Sequence, residues 1–554
     1  MSGGTPAQPR AAHLGDFQVR PRMLLIALLA VPVGGAAALA ALALLKLIGL
    51  ITNLVFYQRF DTALVAPGAT AHPWWLVLTA PVAGALVIGL MARFGSEKIR
   101  GHGMPEAIEA ILTGESKVAP HVAVLKPVSA AVSIGTGGPF GAEGPIIMTG
   151  GAVGSILAQL LRLSADERKT LLVAGAAGGM AATFNAPLAS ILLAVELLLF
   201  EWRPRSFVPV AAAVLTSTLC RGFLLGTDPV FGLPAAPAPG AGADVLALVP
   251  GITGGLLAIA ATALVYLAED GFARLPIHWM WWPAIGGLVI GVGGLVEPRA
   301  LGVGYDVIDQ LLTGQATTSL IIGVLVVKTL IWSLSLGSGT SGGVLAPVFM
   351  IGAALGAAEG GLLPHVAAGF WAVCGLAAVV GGVMRSPLTG IVFTLELTHA
   401  WNYLLPLVVA SVSAYAVSVL LLKRSVLTEK IARRRLHLTR EYTTDPLETF
   451  FAHEVMTADP EVGHALLACA GGTVPAICHP DDTLREVANK LAIGDVTQAV
   501  VVDRAEPAHV HGVITLAQLL HARRRDLHEE HHRERVLAVT RVPVTSSPAT
   551  SSRG

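Results

Sequence analysis

Twice in this chain, about two hundred residues apart, a glycine-rich break interrupts an apolar run and leads straight into a proline and a new helix-like segment. The first break lies in Ser133 to Gly154, SIGTGGPFGAEGPIIMTGGAVG. Lys126, Ser133, Gly135, Gly137 and Pro145 recur at identical intervals as Lys328, Ser335, Gly337, Gly339 and Pro347. Upstream, GHGMPEAIEAI from Gly101 matches GVGYDVIDQLL from Gly302. Downstream, APLASILLAVEL (Ala186 to Leu197) matches SPLTGIVFTLEL (Ser386 to Leu397), with Glu196 over Glu396. Four blocks in one order are an internal duplication. The chain around them is 53% hydrophobic and 13% charged, with mean hydropathy +0.68, which marks a polytopic membrane protein. Irregular backbone at membrane depth survives only where it is buried in protein or lines a cavity. Paired broken segments in two halves point to a transport site near the bilayer midplane. Helices entering from opposite sides aim both N-termini at one point only if the halves are inverted.

The chemistry such a point supports is anion binding. A new helix presents unpaired N–H groups to a glycine-lined hollow, and Pro145 stands where its own missing N–H costs nothing. A bare charge at the bilayer centre costs from about 3 to more than 10 kcal/mol. One helix dipole returns roughly 0.3–2 kcal/mol and each N–H bond to a charge about 1.5–3. Several converging ends are therefore needed, and the starts at 101–105, 143–147, 302–306 and 344–348 are the right kind and number. Amide dipoles also release an ion more readily than a lysine or arginine would, as conduction requires. Lys126 and Lys328 are expected at segment edges. Glu143 carries the same charge as the ion, so its side chain is expected to occupy an anion position until the ion or a proton displaces it. Glu196 and Glu396, late in apolar helices, are expected to accept from neighbouring backbone N–H groups.

Along the chain, residues 1–20 form a polar tail, and 21–425 the membrane domain, with repeats at about 73–200 and 280–400. The apolar run from Met23 to Ile51 is too long for a signal-peptide core. Several later runs fall short of the roughly 20 residues of a full span, which suits tilted and half-crossing helices. Residues 426–448 read as a basic juxtamembrane linker, 449–540 as a soluble portion and 541–554 as a tail. Excess Lys and Arg near the membrane place both termini in the cytoplasm. Cys220, Cys374, Cys469 and Cys478 lack metal spacing and read as free thiols. His528, His531 and His532, beside Glu529 and Glu530, read as a solvated charged helix rather than a metal site. In the soluble portion VPAIC, AVVVDR and HVHGVIT read as strands, Thr483-x-x-Glu486 opens a helix, and LAQLLHARRR closes the unit.

GHGMPEA, GAEGP, FNAPLA with its following VE, and GGVLAP, in this order, resemble the CLC family of chloride channels and chloride/proton antiporters over roughly residues 25–435. The β-α-β-β-α order of the C-terminal portion, with GVIT near its end, resembles one CBS motif, and 453–467 a shortened first copy. The resemblance implies an all-α polytopic fold of two inverted repeats of tilted and broken helices, plus a small α/β cytosolic domain. It implies a homodimer in a bilayer, of the bacterial inner-membrane sort, with an anion path in each subunit. Glu143 matches the family's gating glutamate. Backbone amides of Ala142, Glu143 and Gly144 match an outer anion site, and those of Val344 and Leu345 a central one, which His102 and Gly103 border. The departures are specific. His102 stands where a serine is usual, Ala142 where a basic residue often precedes the gate, and Leu345 where phenylalanine is common. Leu197 replaces an inner proton acid, and the tyrosine that closes the inner side in many members of the family would fall near Leu427. Thr515 occupies the nucleotide-facing position of a CBS motif, but Gln518 replaces the usual acid, which argues against adenine-nucleotide binding.

The expected activity is chloride transport, as channel or antiporter, with proton coupling weak or absent. Fluoride and nitrate suit amide-lined sites equally well. A carrier of organic anions would want a sodium site, for which no acid-and-carbonyl constellation stands out. An intramembrane enzyme would want an HExxH or a Ser/Lys pair within an apolar segment, and none is there. No cofactor or nucleic-acid partner is expected.

Overall fold

The computed structural model describes residues 21–234, 237–434, 447, 450–468, 476–506 and 508–523. The terminal tails, most of the expected linker after 434, Cys469, the first two residues of the VPAIC strand and the His528 cluster lie outside them. Two compact units result, one running from Val19 to Arg440 and the other formed by the C-terminal portion.

The larger unit is helical among its described residues. Among the described residues seven helical stretches are long and apolar enough to cross a membrane: Arg22–Phe56, Trp74–Phe94, Pro204–Leu224, Ala241–Ala273, Trp279–Val296, Thr318–Gly337 and Trp401–Arg433, the last broken at 422–425. Shorter apolar helices, among them Pro187–Leu199, Leu345–Gly360, Phe370–Met384 and Pro387–Thr398, complete the set. Proline at the first turn starts many of them, including those at Pro120, Pro187, Pro204 and Pro387. Stops are equally local. Asn185 (φ 55°) and Arg385 (φ 53°) take left-handed backbone at equivalent places in the two halves, each ending one helix two residues before the next begins. A non-glycine residue there costs about 1–2 kcal/mol, and both side chains help hold it: Asn185 donates to Thr227 O, and Arg385 to Ser418 O and Leu422 O.

In lipid there is little hydrophobic drive between helices, so close backbone approach carries the packing. The pairs Glu143–Leu160 with Ala165–Phe184, and Leu345–Gly360 with Phe370–Met384, meet through glycines at matching positions. A Cβ on Gly150 would overlap the carbonyl of Gly175 and the reverse; Gly352 and Gly375 repeat the arrangement.

The duplication becomes a twofold relation in space. Gly101 N–H donates to Gly339 O (3.4 Å), while Gly302 N–H donates to Gly137 O (3.1 Å). Glu396 accepts from Leu188 N and Ala189 N (3.0 and 2.8 Å), while Glu196 accepts from the amide and hydroxyl of Thr389 (2.9 and 2.5 Å). Each half's late glutamate thus caps the other half's helix start, a reciprocity that a two-fold axis produces. The structural role expected for these acids holds, with partners drawn from across the molecule.

Lys126 and Lys328 correct an expectation. They are not at segment edges but fully buried within helical runs. Lys126 Nζ donates to Ile99 O and Gly101 O (2.8 and 2.7 Å), and Lys328 Nζ to Ala300 O and Gly302 O (2.9 and 2.7 Å). Each ammonium gathers the carbonyls of the loop that precedes the 104 or 305 helix. Lys126→Met is expected to strip those two acceptors and lower stability by about 2–4 kcal/mol. Thermal unfolding in detergent reads this, and a midpoint equal to wild type refutes it.

The first part of the basic linker expected from 426 is helical instead. Val426–Arg433 is a helix capped by Ser425 and packed within the larger unit, where Tyr266 Oη donates to Val426 O and Arg433 pairs with Asp270.

In the smaller unit, strands β1 (Ala476–Cys478), β2 (Gln498–Val502) and β3 (Val510–Thr515) form a sheet in that order. β1 and β2 are parallel across the Leu484–Gly494 helix, and β2 and β3 are antiparallel. The closing helix begins at 516. The segment 453–467 lacks a strand and folds as the helices Ala452–Val455 and Pro460–Ala468. Thr515 and Gln518 cap that closing helix reciprocally: Gln518 Oε1 accepts from the Thr515 amide and hydroxyl, and Gln518 N–H donates back to Thr515 Oγ1.

Candidate functional site

The two breaks meet. Gly141 and Gly343 form an isolated antiparallel pair, with Gly343 N–H to Gly141 O at 2.8 Å and Gly141 N–H to Gly343 O at 3.3 Å. From this crossing the helices Glu143–Leu160 and Leu345–Gly360 set out. Their first N–H groups have no carbonyl four residues back to receive them, so two sets of free donors, one per half, begin at a single buried place. A Cβ on Gly343 would overlap the Gly141 carbonyl as well as the Glu143 carboxylate, and one on Gly141 would displace the Glu143 carboxylate.

Glu143 is 1% exposed, and neither carboxylate oxygen has a hydrogen-bond partner among the described residues. The carboxylate faces the backbone amides of Glu143 itself and of Ala346. An acidic side chain aimed at helix-start amides from both halves occupies the place an anion would take. Ala142 and Val344 are the buried N-cap residues of the two helices, and Gly144 and Leu345 lie in their first turns, so these four stand where the sequence puts them. Ala346 was not foreseen. Its alignment with Gly144 in the duplication is the signal that could have found it.

His102 is 3% exposed, and its Nδ1 is buried without a partner among the described residues. Its carbonyl packs directly on Gly144, where a Cβ would overlap it. The charged groups acting on it come from three elements: Lys430 and Arg434 at the Val426–Arg433 helix, Glu106 on its own helix, and Lys126. Gly103 departs from expectation. Its N–H is taken by Glu106 Oε2 (3.0 Å), so it does not serve as an anion donor. Its contribution is a backbone at φ 87° that turns the chain into the Met104–Leu112 helix.

The 302–306 start lies on its own side of the crossing. Gly304 packs on Met350 where Gly103 packs on Met148. What it brings to the site is Tyr305, half-buried, its buried hydroxyl without a partner among the described residues and within the field of Glu143. The ring stands edge-on to Phe184 and Phe231. Tyr305 aligns with Met104, and a polar group gained at a duplicated helix start was the available clue. Leu197 (1% exposed) lies in a π-helical turn and Leu427 (0%) in the first turn of the Val426–Arg433 helix. Both are apolar and buried, and neither supplies a proton or a hydroxyl.

Duplicated halves, broken helices converging on an unpartnered buried acid, and a multi-pass helical scaffold define an ion-transport protein of the membrane. The chain belongs to the voltage gated chloride channel family, whose model matches residues 83–419. It is 29% identical over 385 residues to a putative chloride channel protein ClcB-like of Ralstonia nicotianae, covering 68% of this chain and 90% of that one. It is 31% identical over 369 residues to the H(+)/Cl(-) exchange transporter ClcA of Vibrio campbellii, covering 63% and 78%. A solved slow cyanobacterial Cl-/H+ antiporter superposes with a TM-score of 0.64 at 22% identity, over 75% of this chain and 99% of that one, a likeness of fold.

Proposed function

We propose that this protein moves chloride across a bacterial plasma membrane, as a homodimer with one path in each subunit and both termini in the cytoplasm. Glu143 is the gate, and its proton is the one exchanged or sensed. The observation that carries the reading is the Gly141–Gly343 crossing, where amides from both halves face one unpartnered carboxylate. Ala142, Gly144, Val344, Leu345 and Ala346 supply backbone donors around the ion, and His102 borders it from the turn just before the Met104–Leu112 helix. The exchange activity for which the ClcA relative is named supports coupling to protons, and the apolar Leu197 and Leu427 support coupling that is weak. Proteoliposomes under a chloride gradient decide between the forms. Uphill proton movement means exchange, chloride efflux without it means a passive path, and no chloride efflux at all defeats the proposal.

His102 is proposed as the internal pH sensor. Imidazole donates one N–H when neutral and two when protonated, so acid on the inner side strengthens its hold on the anion. His102→Ser is expected to shift the pH profile of efflux; superimposable profiles remove the sensor role.

We read the C-terminal unit as a CBS-like module for dimerisation or stability. The Thr515 hydroxyl is already engaged with Gln518 at the helix cap, which supports this over nucleotide recognition.

A further inference from the structure

With Leu197 and Leu427 apolar, a proton bound for Glu143 from the inner side needs another way in, and the second break carries hydroxyls that the first does not. At the offset that sets Lys126 over Lys328, Ser129 falls on Ile331, Gly138 on Thr340 and Pro139 on Ser341. A break that folds with glycine and proline at 138 and 139 does not need hydroxyls at 340 and 341 for its shape. All are buried: Ser129, Ser338 and Ser341 are 0% exposed and Thr340 2%.

They stand in two bonded pairs. Ser338 Oγ and Thr340 Oγ1 are 2.8 Å apart, and Ser129 Oγ and Ser341 Oγ 3.0 Å. In each pair one hydroxyl has a second acceptor, Ser335 O for Ser338 (2.6 Å) and Lys126 O for Ser129 (2.9 Å). A hydroxyl has one proton and two lone pairs and turns to suit. Each pair therefore has two bonded arrangements, which is what lets a line of hydroxyls pass a proton and reset.

The pairs also lie between the right ends. Gly337 and Gly339, on either side of Ser338, line a cavity of about 540 Å3. Gly343, just past Ser341 in the chain, lies against the Glu143 carboxylate. One turn on from Ser129, Ser133 (3% exposed) has an Oγ without a partner among the described residues, beside Gly138 of the first break. The cavity carries both charges: Arg100, stacked over Trp279 and Trp282, is in the field of Glu97 and Glu269.

We propose that Ser338, Thr340, Ser341 and Ser129 form the inner proton route, relaying between this cavity and Glu143. The proposal rests on the transport reading and deepens it. A hydronium in the cavity gives its proton to Ser338 Oγ and becomes water. That oxygen passes its former proton to Thr340, and the Ser341–Ser129 pair repeats the exchange, with water carrying the steps between pairs. The last proton forms an O–H bond on Glu143, and every hydroxyl is left neutral. Arg100 and Lys126 disfavour a proton at rest on this line, so the route is slow, in keeping with weak coupling.

Proteoliposomes under an outward chloride gradient, with external pH and chloride followed together, give the ratio of proton uptake to chloride efflux. Ser341→Ala and Ser129→Ala are each expected to lower this ratio about a hundredfold, the low end of what a positioned proton-transfer group contributes, while chloride efflux persists. Ser341→Thr, which keeps the hydroxyl, is expected to retain the wild-type ratio. If Ser341→Ala does not assemble, Ser129→Ala cuts the same link from the other side, and Thr340→Val cuts the next. An unchanged ratio in the alanine variants, including one in which both rates fall in proportion, overturns the relay. A rise in half-saturating chloride with the ratio kept also overturns it, and assigns the hydroxyls to the anion. Wild-type protein that moves chloride and no protons overturns the relay and leaves a passive chloride path. Wild type that moves no chloride defeats the transport reading and the relay with it.

Discussion

Glu143→Gln flattens the pH dependence of chloride flux and reduces proton movement to background. The expectation follows from which acids are free. Glu196 and Glu396 are spent on the opposite half's helix starts, and Glu106 is held by Lys430, Arg434 and the Gly103 amide. Glu143 alone among these faces converging amides with both oxygens unpartnered. Its ionised form competes with chloride for the amides, and protonation removes the competing charge. Wild-type flux therefore rises as pH falls, and the neutral amide of glutamine has no proton to gain. The measurement is efflux from proteoliposomes across about pH 4 to 7.5, spanning the ordinary carboxylate and histidine ranges. Retained uphill proton transport in Glu143→Gln would place the proton carrier elsewhere, with Tyr305 the next group to test. A residual pH dependence that vanishes in the double variant with His102→Ser would separate the gate from the sensor.

Gly144→Ala has the second large effect. A Cβ there overlaps the His102 carbonyl, a backbone atom that cannot rotate away. Either the Glu143–Leu160 helix start or the chain at His102 must shift, and both border the proposed ion. Overpacking of this kind costs about 1–3 kcal/mol, while a displacement near 1 Å at a site that depends on position costs about 10²-fold in rate. Flux is thus expected to collapse in a protein that still assembles. The duplication supplies its own control, since the matching residue in the second half is already alanine, Ala346. Ala346→Gly is expected to cost only about 0.5–1 kcal/mol, the ordinary penalty of glycine in a helix. Wild-type flux from Gly144→Ala would show that the 143 helix start does not touch the ion.

Much of the fold was readable before any coordinates. The apolar runs became helices at nearly the positions composition suggests, because in a membrane the backbone must satisfy itself within each segment. Helix starts and stops were equally local, set by proline at the first turn and short breaks after it. Misreadings arose where a side chain acts far from its own segment. Lys126 and Lys328 looked like edge residues because a lysine in an apolar run usually escapes to water. The loop carbonyls of Ile99, Gly101, Ala300 and Gly302 hold them inside instead. Gly103 looked like an anion donor until Glu106 took its amide. Arg100 gave no signal at all, since its partners, Trp279 and Trp282, lie far along the chain.

By itself the sequence determined that this is a duplicated, multi-pass membrane protein with an acid at a broken helix start, because hydropathy, proline, glycine and repetition act within a few residues of where they are written. Only the tertiary structure decided that the two breaks join at Gly141 and Gly343, that each half caps the other through Glu196 and Glu396, and which amides remain free. A hydrogen bond between residues two hundred positions apart depends on how the halves turn about each other, and that turn is set by the packing of the whole chain.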